Sequence, residues 1–88
     1  MKIVPTMPRS TWKQFTLVGV DWLDVVERLG FQANVPDDEY KVKYSWGFEI
    51  DGQECAIWDW KGSYLDKVWS AWGPREVFVR LFGEEHVL

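Results

Sequence analysis

The sequence predicts an α+β fold in which a small antiparallel sheet, centred on a hairpin over residues 41–61, is packed by two short helices. Between Lys41 and Ile50 an apolar residue recurs at every second position, the period of a strand with one buried face. Apolar residues near 21–29 and 74–82 recur at helical spacing instead. With 88 residues and a hydrophobic fraction of 47%, the chain has room for a single domain with one modest core.

The N-terminal part of the chain predicts an irregular arm followed by a strand. We expect residues 1–10 to be irregular, because Pro5 and Pro8 interrupt them and no apolar period develops. The run from Thr11 to Val18 is rich in residues that favour strands, and it predicts the first strand of the sheet.

The first helix is predicted between Asp21 and Gly30. The Asp21 side chain can cap the first turn, and Gly30 supplies a left-handed stop. One helical face is apolar and consists of Trp22, Val25, Val26 and Leu29.

The second helix is predicted to begin at Pro74 and to end at Gly83, since proline is tolerated in a first helical turn. Its apolar stripe consists of Val77, Phe78, Leu81 and Phe82. Between the two helices we expect a loop at 31–39 with a solvated acidic run, Asp37–Glu39, a second loop at 62–67, and a short apolar piece at Val68–Trp69.

The register of the hairpin decides which rings are hidden, and two registers compete. A two-residue Asp51–Gly52 loop places Ile50 opposite Gln53 and Trp46 opposite Ile57, with Trp58 and Trp60 on the side of Ser45 and Lys43. A three-residue loop pairs Tyr44 with Trp58, Val42 with Trp60, and Lys43 with Asp59. Turn chemistry favours the first register and the hydrophobic pattern favours the second. We predict the second, because it gives the sheet one apolar and one polar face.

Composition excludes several classes of function. The net charge of -4, from 14 acidic and 10 basic residues, disfavours binding to duplex nucleic acid. The chain has a single cysteine, Cys55, and a single histidine, His86, which we expect in an exposed tail. These two residues give neither a zinc site nor a nucleophile–base pair. No glycine motif indicates a cofactor. No signal peptide begins the chain and no apolar run approaches the about 20 residues that cross a bilayer. We expect a cytoplasmic protein without a cofactor or a membrane partner.

Seven tryptophans in so short a chain are the strongest functional signal. Trp12, Trp22 and Trp46 lie in apolar patterns and are predicted to be core. The other rings, with nearby lysines, could stack on a base while an ammonium group meets a phosphate. Core packing is the competing explanation. We favour it for Trp58 and Trp60, whereas for Trp69 and Trp72 the two explanations are balanced. The candidate binding residues are Trp58, Trp60, Lys61, Lys43, Trp69, Trp72 and Asp59.

Asp59 is the one candidate for acid–base chemistry, because it lies between two tryptophans where desolvation can raise the pKa of a carboxyl group. The alternative, which we favour, is an ion pair with Lys43 or Lys61 at the surface of the sheet.

The central segment resembles small uncharacterised proteins of tailed bacteriophages. The resemblance covers about the middle third of the chain and consists of a tyrosine–lysine strand, a tryptophan, a glycine turn and an aromatic–Asp–Trp–Lys stretch. In this sequence these are Glu39–Val42, Tyr44–Trp46, Asp51–Gly52 and Ile57–Lys61, whereas Trp69–Pro74 departs from the pattern. The resemblance implies that the protein binds a host component, and it implies no catalytic residue.

We therefore expect a noncatalytic binding protein of phage type that interferes with a host process, such as defence, by sequestering a nucleotide signal. A homo-oligomer is expected in that case, because two copies can share a pocket that one small chain cannot enclose. The alternative is an inhibitor that binds a host protein through an exposed aromatic patch with an acidic rim. A small enzyme that uses Asp59 ranks last.

Overall fold

The computed structural model describes residues 2–8, 10–36 and 40–88, so the predicted acidic run at 37–39 lies outside the described residues. It confirms the α+β fold, with one antiparallel five-stranded sheet and two helices. The strands are β1 (Ile3–Pro5), β2 (Phe15–Val18), β3 (Ser45–Ile50), β4 (Gln53–Trp58) and β5 (Val68–Trp72), in the order β1-β3-β4-β5-β2. The helices are α1 (Trp22–Leu29) and α2 (Arg75–Phe82), and short 3-10 turns span Ser63–Asp66 and Glu84–His86.

Both helices follow their predicted signals. A capping box closes the start of α1, in which Asp24 N–H donates to Asp21 Oδ1 over 2.9 Å and Asp21 N–H donates to Asp24 Oδ2 over 3.1 Å. Gly30 ends the helix with a φ of 90°, in the left-handed region. All four residues of the predicted stripe of α2 are buried. The helices lie on one face of the sheet, where Phe78 packs between the rings of Phe15 and Phe48.

Successive side chains of a strand point to opposite faces, and this alternation divides the sheet. The core face is packed by the helices and includes Leu17, Trp46, Phe48, Ile50, Cys55, Ile57, Trp69 and Ala71. The opposite side, here called the outer face, includes Ser45, Gly47, Glu49, Glu54, Ala56, Trp58, Ser70 and Trp72. Thr6 and Pro8 cover part of it, because both lie against Gly47.

The prediction that residues 1–10 are irregular is wrong at one point, because β1 pairs with the edge of the sheet. Ile3 lies opposite Ile50, and Thr6 N–H continues the contact to the carbonyl of Gly47 over 3.0 Å. An edge strand tolerates Pro5, which needs no ladder donor there. The strand predicted from Thr11 is also shorter than expected and begins at Phe15.

The structure adopts the register of the two-residue Asp51–Gly52 loop, so the predicted register with a three-residue loop is wrong. Ser45 lies opposite Trp58, and Trp46 lies opposite Ile57. Asp51 and Gly52 have φ angles of 52° and 80°, the pair of positive values that a two-residue type I′ turn requires. Turn chemistry therefore overrides the hydrophobic pattern, and Trp58 points to the outer face.

Beyond Asp59 the two arms of the hairpin slip by one residue. Asp59 N–H donates to Tyr44 O over 3.1 Å and Lys61 N–H donates to Lys41 O over 2.6 Å, which leaves two residues on one side opposite one on the other, as in a β-bulge. Asp59 Oδ1 accepts hydrogen bonds from the backbone N–H groups of Lys43, at 2.8 Å, and Tyr44, at 2.7 Å. Because a side chain takes these donors, β3 begins at Ser45 rather than at Lys41 as predicted.

The C-terminal segment is packed rather than free. Val87 is buried and bridges to Leu17, and His86 Nδ1 lies 2.7 Å from the carbonyl oxygen of Val18. The prediction of an exposed tail histidine is therefore wrong, since the ring is half-buried against β2. Over the described ranges, the structure contains no helix with the length and apolarity needed to cross a membrane.

Candidate functional site

The outer face has a floor of small side chains between tryptophans. Ser45, Ala56 and Ser70 are all less than 9% exposed, and Gly47 lies beside them on β3. Trp58 lies opposite Ser70 and Trp72 lies opposite Ala56, so the two rings stand diagonally across β4 and β5. Because small side chains lie between large rings, the outer face has a concave surface, and the helices do not cover this face.

One pocket opens at the end of this floor that lies away from the Asp51–Gly52 turn, and we call it the arm pocket. It has a volume of about 280 Å³ and lies between the N-terminal arm and the rings of Trp58 and Trp60. Ser45 supplies a hydroxyl group, whereas Val35 and Val42 supply apolar walls. The full lining consists of Pro8, Thr11, Val35, Val42, Ser45, Trp46, Ala56, Trp58 and Trp60.

Two ammonium groups approach the ring of Trp60, which is one of the residues that line the arm pocket. Lys61 Nζ lies 5.7 Å from the ring centroid of Trp60, and Lys41 Nζ lies 6.0 Å from the same centroid. The Trp60 side chain is 48% exposed, so a ligand can reach it from solvent. Sequence reasoning found Trp58, Trp60 and Lys61 but missed Lys41, because only the slipped pairing beyond Asp59 brings Lys41 to the ring.

Trp69 does not belong to this face. The side chain is fully buried in the core, its ring centroid lies 5.5 Å from that of Trp46, and its Nε1–H donates to Val20 O over 2.6 Å. A ring so enclosed offers no surface for stacking, and we leave it out of the candidate site. Its orientation follows from the pairing of Ile57 with Ala71, which turns Trp69 toward the helices.

Lys43 and Asp59 also lie apart from the arm pocket. Lys43 Nζ is 5.9 Å from the ring of Tyr44 and 5.7 Å from that of Tyr64, and these rings belong to the margin of the core. Asp59 is fully buried and binds backbone N–H groups, so the predicted surface ion pair with Lys43 or Lys61 is wrong. Its Oδ2 has no hydrogen-bond partner among the residues that the structure describes.

A second concave region lies at the opposite end of the outer face. Trp12 and Trp72 meet there edge to face, with ring centroids 5.5 Å apart and an interplanar angle of 62°. Trp12 was predicted to be core, but 57% of its surface is exposed because the chain before Phe15 leaves the sheet. Trp22, also predicted to be core, is half-buried and packs against Tyr44.

The described part of the chain contains no group of three metal-ligating side chains. Burial raises the pKa of the Cys55 thiol to about 12, and the Glu76 carboxylate adds to the rise, so the thiol is neutral near pH 7. Fold and geometry together define a small α+β domain with an aromatic outer face. No protein-family model matches the chain, and neither does any curated protein or solved structure.

Proposed function

We propose that this chain is a noncatalytic binding protein that holds a nucleotide in the arm pocket. The base stacks on Trp60 and enters against Trp58, while Lys41 and Lys61 meet the phosphate. The observation that supports the proposal most directly is the convergence of two ammonium groups on one half-exposed indole ring at the mouth of a pocket. Stacking on an aromatic ring accepts any base, and ammonium groups supply charge for the phosphate.

The interaction free energies favour replacement of the lysine ammonium groups on the ring of Trp60 by a stacked base. An exposed cation–π contact contributes about 0.5–1 kcal/mol, whereas stacking of a base on an aromatic side chain contributes about 1–3 kcal/mol. The lysine stems are long and flexible, so an ammonium group displaced from the ring of Trp60 can follow the phosphate of the ligand. Binding therefore replaces a weak internal contact by a stronger external one.

The environment of Asp59 supports binding rather than catalysis. A general acid or base must come within hydrogen-bond reach of its substrate, about 2.6–3.2 Å between heavy atoms. The Asp59 side chain is fully buried, and the carboxylate oxygen Oδ1 is occupied by two backbone donors. The resemblance to small phage proteins suggests the biological setting, in which retention of a nucleotide signal would deprive a host process, such as defence, of that signal.

Isothermal titration with cyclic and linear nucleotides tests the proposal. We expect Trp60→Ala to weaken binding by about 5- to 100-fold, because it removes the stacking surface. The Lys41→Gln, Lys61→Gln double variant should weaken binding and reduce its dependence on salt. Lys2→Gln is the control, since it removes one exposed positive charge from the far edge of the sheet.

The native fold of each variant is checked by circular dichroism before titration. If no nucleotide releases or absorbs heat up to about 1 mM, which corresponds to about -4 kcal/mol of binding free energy, the proposal is wrong. Equal affinity of the Trp60→Ala variant and the unaltered chain would also contradict it, because the ligand would then bind elsewhere.

A further inference from the structure

The concave region around Trp12 and Trp72, here called the tryptophan cleft, is separate from the arm pocket. It has a volume of about 630 Å³, and none of its lining residues lines the arm pocket. Four residues give the cleft its chemistry: the two indole rings and the carboxylates of Glu49 and Glu54. In the described part of the chain, neither lysine nor arginine lines it.

The two carboxylates are a like-charge pair across neighbouring strands. Glu49 of β3 lies directly opposite Glu54 of β4, so both side chains project from the outer face side by side. Like charges placed directly opposite each other destabilise an antiparallel sheet. The one contact at salt-bridge distance found among the described residues joins His86 and Glu85, so neither glutamate of the cleft has a cationic partner at that distance there.

The rings form the second wall of the cleft and are held in place. Gly73 N–H donates to Gln14 Oε1 over 3.0 Å, which ties the chain before β2 to the turn after β5. The turn lies close against β4, because a Cβ atom at Gly73 would stand 2.9 Å from Cys55 Sγ. Trp12 and Trp72 thus make a corner of π surface beside two negative charges.

We propose that the tryptophan cleft binds the guanidinium group of an arginine side chain on a partner protein. A guanidinium group is planar, so it can stack on an indole ring while its N–H groups donate to both carboxylates. The negative charge of the cleft disfavours a phosphate, which separates this site from the nucleotide site. The cleft is broad and open, and arginine stacked on tryptophan is a frequent centre of protein interfaces.

The first test uses capped tripeptides and the indole N–H signals of Trp12 and Trp72 in ¹H–¹⁵N spectra. Acetyl-Ala-Arg-Ala-amide should shift both signals, and the citrulline peptide, which has the same shape without the charge, should not. The lysine peptide should bind more weakly than the arginine peptide, because its ammonium group cannot stack. Free arginine amide is a further comparison, because it is a small cation that is not part of a peptide chain. We expect it to bind no more tightly than the arginine peptide.

The second test uses variants of the cleft. The Glu49→Gln, Glu54→Gln double variant should lose about three- to tenfold in affinity for the arginine peptide, and Trp12→Ala about two- to fivefold. Glu27→Gln, on the exposed side of α1, is the matched control and should change nothing. The double glutamine variant should also melt at the same temperature as the unaltered chain or higher, because it relieves the repulsion across β3 and β4.

Three results would overturn the proposal. Equal binding of the citrulline peptide would show that charge is not recognised, and the absence of any shift up to about 10 mM peptide would show that the cleft does not bind a guanidinium group. A lower melting temperature of the double glutamine variant would show that the two glutamates stabilise the sheet of the free protein and do not repel each other there. None of these results depends on whether a nucleotide binds in the arm pocket.

Discussion

Asp59 is a buried carboxylate that serves the backbone. Its Oδ1 accepts the N–H groups of Lys43 and Tyr44, and the pairing of the hairpin slips by one residue at this point. Asp59→Ala would leave these two donors without a partner, and we expect the free energy of unfolding to fall by about 2–3 kcal/mol. Asp59→Asn keeps an oxygen acceptor for these donors and should lose less stability than Asp59→Ala. Urea denaturation of the two variants measures the difference.

Equal stability of the alanine variant and the unaltered chain would contradict this structural role. Asp59→Asn also separates binding from catalysis. If this variant kept its fold and its affinity for a ligand but abolished turnover of a substrate, the enzymatic alternative would gain the support that it now lacks.

Cys55 gives the fold a defined response to alkaline pH. Its pKa rises from 9.0 to about 12 because burial disfavours the thiolate. Between these values the thiol ionises in the unfolded chain but not in the folded one, so the unfolded state binds fewer protons and stability falls as pH rises. Below about pH 9 both states hold the proton and the contribution is constant. We expect Cys55→Ala to reduce the slope of stability against pH between about 9 and 12, as measured by urea denaturation.

Alkylation supplies a second readout for the same residue. Iodoacetamide should modify the unaltered chain slowly at pH 8 and rapidly in urea, since only unfolding exposes the sulfur and lets it ionise. Rapid modification of the native chain, followed by mass spectrometry, would show that Cys55 is more accessible than its burial indicates.

Among the elements, the helices were predicted from sequence because their signals are local. Asp21, Gly30, Pro74 and Gly83 mark helix ends within a few residues of the apolar stripes that they bound. β1 could not be predicted, since Ile3–Pro5 becomes a strand only by pairing with residues 48–50 far along the chain. Pairing partners at such separation leave no periodic pattern in a three-residue segment.

The candidate site was predictable only in part, for the same reason. Trp58, Trp60, Lys61 and Trp72 were found from residue type, and the structure places them on the accessible side. Trp69 was included wrongly with them, because the register between β4 and β5 decides which face it occupies. The hydrophobic pattern also misjudged the register of the hairpin, since it could not anticipate that the arm covers part of the outer face.

Gly47 is the position through which β3 holds the arm. A Cβ atom there would overlap Cδ of Pro8 and lie 2.5 Å from the carbonyl oxygen of Thr6. We expect Gly47→Ala to displace the arm, to lower the free energy of unfolding by about 1–3 kcal/mol and to speed exchange of the Thr6 amide proton. Ser45→Ala, on the same strand and face, adds no atoms and is the control. Unchanged exchange at Thr6 would show that the arm accommodates the methyl group without moving.

Across the whole molecule, charge is separated along the outer face. Lys41 and Lys61 lie near Trp60, which lines the arm pocket, and Glu49 and Glu54 line the tryptophan cleft, although the net charge is -4. An anionic and a cationic ligand can therefore approach opposite ends of one sheet. Both interactions should weaken with salt, because exposed charges are screened within about 10 Å at 0.1 M ionic strength.

The size of the arm pocket leads to a prediction about assembly. At about 280 Å³ it falls just below the about 300–1,000 Å³ of pockets that enclose small ligands. We expect a second copy to cover the exposed part of a bound nucleotide, so that a native mass spectrum of the protein expressed in bacterial cells shows an even number of chains and retained ligand. A monomer that holds nucleotide tightly would contradict the shared pocket but leave the nucleotide proposal intact.

The two margins of the sheet restrict how copies of the chain can associate. One margin is the three-residue β1, which includes Pro5, and the other is β2, whose Thr16 already bonds to the backbone of Leu88. Short, proline-containing or occupied margins resist the strand addition that begins fibrils. Assemblies of this protein should accordingly be finite and reversible, and they should dissolve on dilution instead of growing into fibres.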